Sequence, residues 1–291
     1  MNISALIVTY NRLDKLKKTW AASKLLPFNH IVIIDNASTD GTADWLGSLD
    51  DARLSVITSP KNDGGAGGFY CGAEWIAKNI DADWVMVFDD DAYPTPDLLD
   101  TFDKIDKQGV DAFATKVITP SGMRCKMNIP WKKIPNSLSE IISYQKNDTD
   151  FVARNNDVTP ICTFSFVGLI IKHAVLKETY YNINKDLFIY YDDIYYSWYL
   201  NSSGFKLVYR PELVFIHDVP ESDITPPPWK VYYLVRNLLL SFKIFNNNRP
   251  FSHISILFRV FKYFLMVLKS QSKINFAKAI FLGIKDGFSK K

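Results

Sequence analysis

The stretch Trp84-Val85-Met86-Val87-Phe88-Asp89-Asp90-Asp91 constrains this chain more than any other. Five apolar residues run straight into three consecutive carboxylates. An uninterrupted apolar run rich in Val and Phe predicts a strand buried on both faces, as in a parallel sheet. In open α/β sheets, ligands sit at the carboxyl ends of the strands. Adjacent carboxylates at such an end repel one another, and a divalent cation held by oxygen ligands offsets that repulsion. Mg2+ typically binds through one or two carboxylates and takes substrate phosphates for the rest. The triplet therefore points to a metal and phosphate site, with a solvated acidic turn as the competing reading. Successive side chains of a strand point to opposite faces. Asp89 and Asp91 are thus expected to share the metal, and Asp90 to take a supporting or donor-contact role.

The same pattern repeats along the first half of the chain. Ile3 to Thr9 and His30 to Ile34 read as strands with polar tips at Asn11-Arg12 and Asp35-Asn36. Leu13, Leu16 and Trp20 recur at spacings of three and four, one face of a helix. Ser38 or Thr39 offers a cap for a helix reaching about Leu49, and Leu54 to Ile57 is a short strand. Asn62-Asp63-Gly64-Gly65-Ala66-Gly67-Gly68 reads as a glycine-rich loop leading into a helix with Trp75 and Ile76. It lacks the lysine of a Walker sequence and the spacing of the dinucleotide fingerprint. Gly64 and Gly65 let backbone N–H groups approach an anion or sugar closely; the alternative is a merely flexible loop. Thr95-Pro96 reads as the cap and first residue of a further helix, and Ala112 to Ile118 as a fifth strand. Strand and helix in alternation predict an α/β fold with a mostly parallel, nucleotide-binding (Rossmann-like) sheet.

Residues 120–160 break this rhythm at Gly122, Pro130 and Pro135 and read as an excursion on the substrate side. Cys162 to Ile171, Lys206 to Tyr209 and Leu213 to Ile216 read as further strands, the last ending at His217-Asp218. An aromatic run, Phe188 to Tyr191, enters a helix at Asp192-Asp193. This carboxylate pair is either favourable charge in a helix's first turn or the place of a general base that takes a proton from an attacking hydroxyl. His217 is either a structural histidine or a third metal ligand.

Charge separates the chain into two zones. From Trp229 onward there are twelve Lys and Arg against one acid, Asp286, a charge of +11, whereas the first 228 residues carry −8. Pro220 to Pro228 reads as a stiff linker, so residues 1–228 form one expected domain and 229–291 a basic helical extension. Tyr232, Val235, Leu239 and Phe242, then Ile256, Val260, Phe264 and Val267, mark its helix faces. A basic and apolar helical segment favours the surface of an anionic membrane over a solvated or oligomer face, with nucleic acid the weakest reading. No apolar stretch reaches the roughly 20 residues of a membrane span. Met1-Asn2-Ile3-Ser4 lacks signal-peptide features. The widely spaced Cys71, Cys125 and Cys162 suit a reducing compartment. A cytoplasmic protein held peripherally at the inner face of the plasma membrane is the resulting expectation.

With these pieces placed, residues 3 to 240 resemble the family-2 glycosyltransferases of the GT-A fold, and within them the bacterial galactofuranosyltransferases. The resemblance rests on Val8-Thr9-Tyr10-Asn11-Arg12, Asp35-Asn36-Ala37-Ser38, the Asn62 to Phe69 glycine segment and Phe88-Asp89-Asp90-Asp91. It continues through Tyr191-Asp192-Asp193, His217 and the Trp229 to Asn237 segment. It implies an inverting, metal-dependent transferase that moves galactofuranose from UDP to a glycan or lipid-linked glycan. Thr9, Arg12, Asp35 and Asn62 match positions that hold the donor nucleotide, and Arg236 and Asn237 match positions near its diphosphate. Asp89, Asp91 and His217 match ligands of Mn2+ or Mg2+, and Asp193 matches the catalytic base. Tyr191 stands where the family commonly has Trp, which with Asp192 places the departure near the acceptor. The rivals are a rhamnosyltransferase using dTDP-rhamnose and a non-catalytic sugar-nucleotide-binding protein.

Overall fold

The computed structural model describes residues 1–154, 157–220 and 225–289. Residues 221–224 of the expected linker, and Lys290 and Lys291 of the basic segment, lie outside the described residues. The chain divides into two compact units: Met1–Lys132, Ala153–Phe188 and Asp192–Glu221 form the first, and Lys133–Val152, Ile189–Tyr191 and Ser222–Lys291 the second.

Among the described residues, the first unit is built on a nine-stranded mixed sheet. Its strands are β1 (Ile3–Thr9), β2 (His30–Asp35), β3 (Leu54–Thr58), β4 (Trp84–Asp89), β5 (Ala92–Pro94), β6 (Ala112–Ile118), β7 (Thr159–Pro160), β8 (Leu169–Lys172) and β9 (Leu207–His217). They run in the order β3-β2-β1-β4-β8-β6-β9-β5, with β7 on β9. The four strands β3, β2, β1 and β4 are mutually parallel, as are β6 and β9, while β8 runs antiparallel between β4 and β6. Strand alternation sorts the side chains into two cores. Ile3, Ala5, Ile7, Met86 and Phe88 enter one, and Leu6, Val8, Val85 and Val87 enter the other. Both faces are covered, which is why these strands lack polar alternation.

Helices α1 (Leu13–Ser23), α2 (Thr42–Gly47), α3 (Gly64–Asn79) and α4 (Leu98–Lys104) belong to this unit, and α5 (Leu138–Lys146) to the second. The first unit also holds α6 (His173–Thr179) and α7 (Asp192–Ser202). Several details differ from the sequence expectation. The glycine segment is the first turn of α3 rather than a loop. A Cβ at Gly68 would lie 2.4 Å from Val8 Cγ1, and one at Gly72 would lie 2.2 Å from Leu6 Cδ1. These glycines let α3 press onto β1. Ser38 and Thr39 do not cap α2, which begins after Gly41; the Ser38 hydroxyl accepts the Asn11 N–H, and the Thr39 N–H goes to Asn11 Oδ1. Thr95 does not cap α4, which begins only at Leu98 with Asp97 in the cap position; the Thr95 hydroxyl donates to the Val214 carbonyl. Only Leu169–Lys172 of the long apolar run near Cys162 is strand. The two strands expected around Arg210-Pro211 are one, β9, with a register shift opposite Thr115 and Lys116.

The second unit is helical, formed by α5 with α8 (Pro228–Ile244), α9 (His253–Met266) and α10 (Lys273–Ser289). α5 answers the supposed irregularity of residues 120–160, where Ser137 and Glu140 make a reciprocal capping box. α8 and α10 approach closely at Gly283 and Gly287, where a Cβ would meet the Tyr232 carbonyl at 2.8 Å and Leu239 Cβ at 2.7 Å. No helix among the described residues is long and apolar enough to cross a membrane.

Candidate active site

The triplet that follows β4 is sorted by a turn, not by strand alternation, because the strand ends at Asp89. Asp90 folds back onto the end of β1. Its carboxylate accepts the Thr9 hydroxyl at 2.8 Å and the Tyr10 N–H at 3.3 Å, and Arg12 Nη1 lies 3.4 Å away. The Thr19 hydroxyl donates to the Asp90 carbonyl. Asp91 faces the other way. The three-residue strand β5 pairs antiparallel with the end of β9, setting Ala92 opposite His217. That register brings Asp91 Oδ1 to 3.2 Å from His217 Nε2. Arg12 Nη1 holds the other Asp91 oxygen at 2.6 Å. The short β5 had no separate sequence signal, yet it joins two site residues that are far apart in the chain.

The electrostatics follow from crowding and burial. Burial, then the charges of Asp91 and Asp90, push the Asp89 carboxyl up to about 7. Burial pushes Asp90 up to about 6, against the pull of Arg12. Burial works in the same sense on Asp91, yet the hydrogen bond and charge of His217 and the charge of Arg12 hold it below the ordinary range. For His217, burial alone would lower the imidazole. Its hydrogen bonds to Asp91 and Cys125, and the charges of Asp91 and Asp89, raise it to about 10. Asp91 and His217 therefore form an ion pair, and burial with the neighbouring carboxylates works against a further charge on Asp89.

Two buried side chains that the sequence did not single out complete the surroundings of His217. Its Nδ1 lies 2.9 Å from Asn128 Oδ1 and 3.7 Å from Cys125 Sγ. Neither residue sits in a periodic segment, so no sequence signal pointed to them.

The remaining expected site residues are placed as follows. Asp35, fully buried at the end of β2, accepts the Ser38 N–H on Oδ1. Its Oδ2 has no partner among the described residues. Asn62 Oδ1 accepts the Gly64 N–H and the Asn36 amide, fixing the start of α3. Gly64 has φ +72°, and a Cβ there would lie 2.0 Å from the Phe188 carbonyl oxygen. Gly65 is helical and its Cβ direction is open to 3.9 Å. Asp192 and Asp193 open α7. Burial, then the Asp193 charge, push Asp192 well above the ordinary carboxyl range, and the Asp89 charge adds to this. Burial pushes Asp193 up to about 6, opposed by the Ile194 and Phe166 N–H groups and the Ser165 hydroxyl. Crowding and burial thus work against two charges on this pair, and Asp192 is pushed further from ionisation than Asp193.

In the second unit, Tyr191 has φ +69° and packs edge-on against Phe251. Arg236 and Asn237 are buried in α8. The Asn237 amide donates to the carbonyls of Ile189 and Tyr190, and its Oδ1 accepts Arg236 Nε at 2.8 Å. The Arg236 guanidinium lies over Tyr233 at 4.7 Å.

Parallel strands with buried carboxylates gathered at their carboxyl ends place a ligand site of the kind found at the edge of open α/β sheets. The profile of the family described as Glycosyl transferase family 2 matches residues 4–176, and the chain belongs to that family. Among curated proteins it is similar to an undecaprenyl-phosphate mannosyltransferase of Micrococcus luteus, 30% identical over 78 residues. That match spans 26% of this chain and about a third, 32%, of the mannosyltransferase. Among solved structures, S. aureus TarS superposes over 100% of this chain and 44% of its own, at TM-score 0.53 and 17% identity. A mannosyltransferase from Pyrobaculum calidifontis, in complex with GDP-Man and Mn2+, superposes over 96% of this chain and 73% of its own, at TM-score 0.55 and 16% identity. These structural likenesses establish the GT-A fold.

Proposed function

We propose that this chain is an inverting glycosyltransferase that moves galactofuranose from UDP-galactofuranose to a glycan acceptor, lipid-linked and at a membrane surface. The observation that carries the transferase reading is the meeting of Asp91 and His217 beside the buried, crowded carboxyl of Asp89. A donor diphosphate brings further negative charge, which a bound cation would offset there.

The residues suit a divalent cation. Asp89, Asp91 and His217 Nε2 offer two carboxylates and an imidazole, a donor set that Mn2+ or Mg2+ accepts while leaving positions for diphosphate oxygens. Among the described residues no three such side chains close into a finished cage, and Arg12 occupies one oxygen of Asp91. Arg12 is half-exposed and free to swing from Asp91 to a phosphate. When bound, the cation supplies neutralisation of the charge that develops on the leaving diphosphate. Support for a metal comes also from the Mn2+ in the Pyrobaculum mannosyltransferase complex.

The chain's own residues do the rest. The orphan Oδ2 of Asp35 suits an N–H or O–H of the donor nucleotide. Asp193, the more readily ionised of the pair, takes the proton of the attacking acceptor hydroxyl, and Asp192 lies beside it to contact the acceptor or donor sugar. One base opposite one leaving group gives inversion at the anomeric carbon, as in other single displacements at sugars. The galactofuranose donor rests on the sequence motifs from Asn62 to Asp91. The likeness to an undecaprenyl-phosphate mannosyltransferase supports a lipid-linked acceptor, and the GDP-Man in the Pyrobaculum complex supports GDP-mannose as a second donor reading.

Residues 229–291 are read as the membrane-docking region. On α9 and the turn after it, Ile254, Leu257, Phe258, Phe261, Leu265 and Leu268 are exposed along one stripe, with Lys262 and Lys269 exposed beside it. Such a stripe suits the boundary of an anionic lipid surface.

Donor turnover decides the reading. The full chain, with Mn2+, is given UDP-galactofuranose, dTDP-rhamnose or GDP-mannose and a lipid-linked acceptor. Turnover of UDP-galactofuranose that stops in EDTA and returns with Mn2+ is expected. Turnover of another donor alone overturns the donor assignment, and undiminished turnover in EDTA overturns the cation site.

A further inference from the structure

Residues 188–191, which lead straight into Asp192-Asp193, hold a backbone that their side chains disfavour. Phe188 has φ +67° and ψ −57°, and Tyr190 and Tyr191 both have φ +69°. Positive φ is uncommon for a bulky residue, and none of the three is the glycine, asparagine or aspartate that tolerates it. The φ and ψ of Phe188 are those of the rare, strained form of the γ-turn. Such residues persist only where their surroundings over-determine them, and they cluster at functional sites.

A side chain of α8 holds this run. Asn237 is fully buried and belongs to the same compact unit as Ile189–Tyr191. Its Nδ2 donates to the Ile189 carbonyl at 2.7 Å and to the Tyr190 carbonyl at 3.0 Å. An amide nitrogen carries two hydrogens, so both are committed to backbone. Its Oδ1 accepts Arg236 Nε at 2.8 Å. A guanidinium only donates, which fixes the amide with its oxygen to Arg236 and its nitrogen to the two carbonyls. The Ile189 carbonyl belongs to the peptide plane before Tyr190, and the Tyr190 carbonyl to the plane after it. Peptide planes are rigid, so the soft dihedrals between these two carbonyls are φ and ψ of Tyr190. One donor group bonded to both therefore clamps Tyr190 in its left-handed conformation.

We propose that Asn237 is a positioning residue: by clamping Tyr190 it sets the direction in which the chain enters α7, and so the placement of Asp193. This rests on the reading of Asp193 as the base. Asp193 follows Tyr190 by three residues, so a rotation at Tyr190 displaces what the chain carries into α7. Without the clamp, Tyr190 relaxes toward the negative φ that its side chain favours. The role replaces the expected contact of Asn237 with the donor diphosphate. A fully buried amide with both hydrogens on backbone carbonyls has none to give a phosphate.

The test uses the full chain and two readouts. The first is amide hydrogen exchange over residues 186–194, read by mass spectrometry without donor. The second is kcat and KM for transfer from UDP-galactofuranose, with Mn2+, to a lipid-linked acceptor. Asn237→Ala is expected to speed exchange at residues 189–193 by roughly tenfold. It is expected to lower kcat by roughly a hundredfold, with KM for UDP-galactofuranose at its wild-type value. Tyr190→Gly supplies the rescue. Glycine takes positive φ readily, so in a Tyr190→Gly background Asn237→Ala should cost roughly tenfold less in kcat, the left-handed penalty of one residue. Equal losses in the two backgrounds refute the clamp on Tyr190. A raised KM with kcat kept makes Asn237 a donor contact and overturns the proposal. A lowered melting temperature with exchange and kcat at wild-type values shows a purely structural role and overturns it as well. Should Asn237→Ala not fold, Asn237→Asp, which keeps the shape and removes the amide hydrogens, carries the same readouts. Asp193→Asn is the control. If it keeps transfer, the reading of Asp193 as base fails and the inference with it. If it loses transfer while Asn237→Ala keeps kcat, the positioning role alone is wrong.

Discussion

Gly64→Ala is the sharpest probe of how the glycine segment works. Gly64 has φ +72°, and a Cβ would sit 2.0 Å from the Phe188 carbonyl oxygen, where real Cβ contacts stay above 3.0 Å. Backbone must therefore move by about 1 Å, because neither partner is the tip of a flexible side chain. The left-handed conformation costs a non-glycine residue about 1–2 kcal/mol. The Phe188 carbonyl also accepts the Ala66 N–H at 3.1 Å, and losing that bond costs about 1 kcal/mol. With a modest overpacking term, destabilisation of about 3 kcal/mol is expected. Phe188 lies a few residues before Asp192-Asp193, so a shift of this size carries into the candidate base. A misplacement of about 1 Å at a reacting group costs roughly a hundredfold in rate. Gly65→Ala is the control. Its position is helical with open space, so its unfolding free energy is unchanged or raised by up to about 1 kcal/mol. Denaturant unfolding of the full chain and donor turnover measure both. A Gly64→Ala protein within about 0.5 kcal/mol of wild type, with unchanged kcat, would refute the close-contact argument. It would restore the reading of a flexible loop, which treats the two glycines alike.

Two further outcomes follow from the site and the helices. Asp193 must be ionised to accept a proton and its carboxyl is pushed up to about 6, so kcat/KM levels off above that pH and falls tenfold per unit well below it. Asp193→Asn lowers kcat by roughly 10²–10⁴ while leaving the melting temperature in place; a full-rate variant rules Asp193 out as base. Replacing exposed Leu257 and Phe261 together by Asp should abolish sedimentation with anionic vesicles while sparing turnover of a short soluble acceptor. Undiminished sedimentation would discard the α9 stripe as the docking face.

Much of the strand framework was legible because parallel strands covered on both faces need long apolar runs, and β1, β2 and β4 have them. The carboxylates after β4 and at the start of α7 were visible for a related reason. Charges placed against apolar runs stand out in a sequence. The excursion after β6 was less legible. Ser137 and Glu140 are three apart and spell a capping box before an apolar turn, a signal present in the sequence but set aside for want of periodicity. Thr95 shows the opposite error. Thr followed by Pro is a good cap in isolation, yet α4 begins only at Leu98, behind Asp97.

The sequence by itself determined the alternation of strand and helix, the two-faced burial of the sheet and the presence of acidic side chains at strand ends, because these depend on neighbours in the chain. Tertiary structure alone decided which of those carboxylates meet which partners. The alternation argument for Asp89 and Asp91 stops where β4 stops, and a turn sends Asp90 to Thr9 and Asp91 to His217. That pairing depends on the register of β5 against β9, and the support of His217 by Asn128 depends on an irregular segment with no local signature. Register and long-range hydrogen bonds are settled by packing of distant segments, which no local spacing in the chain encodes.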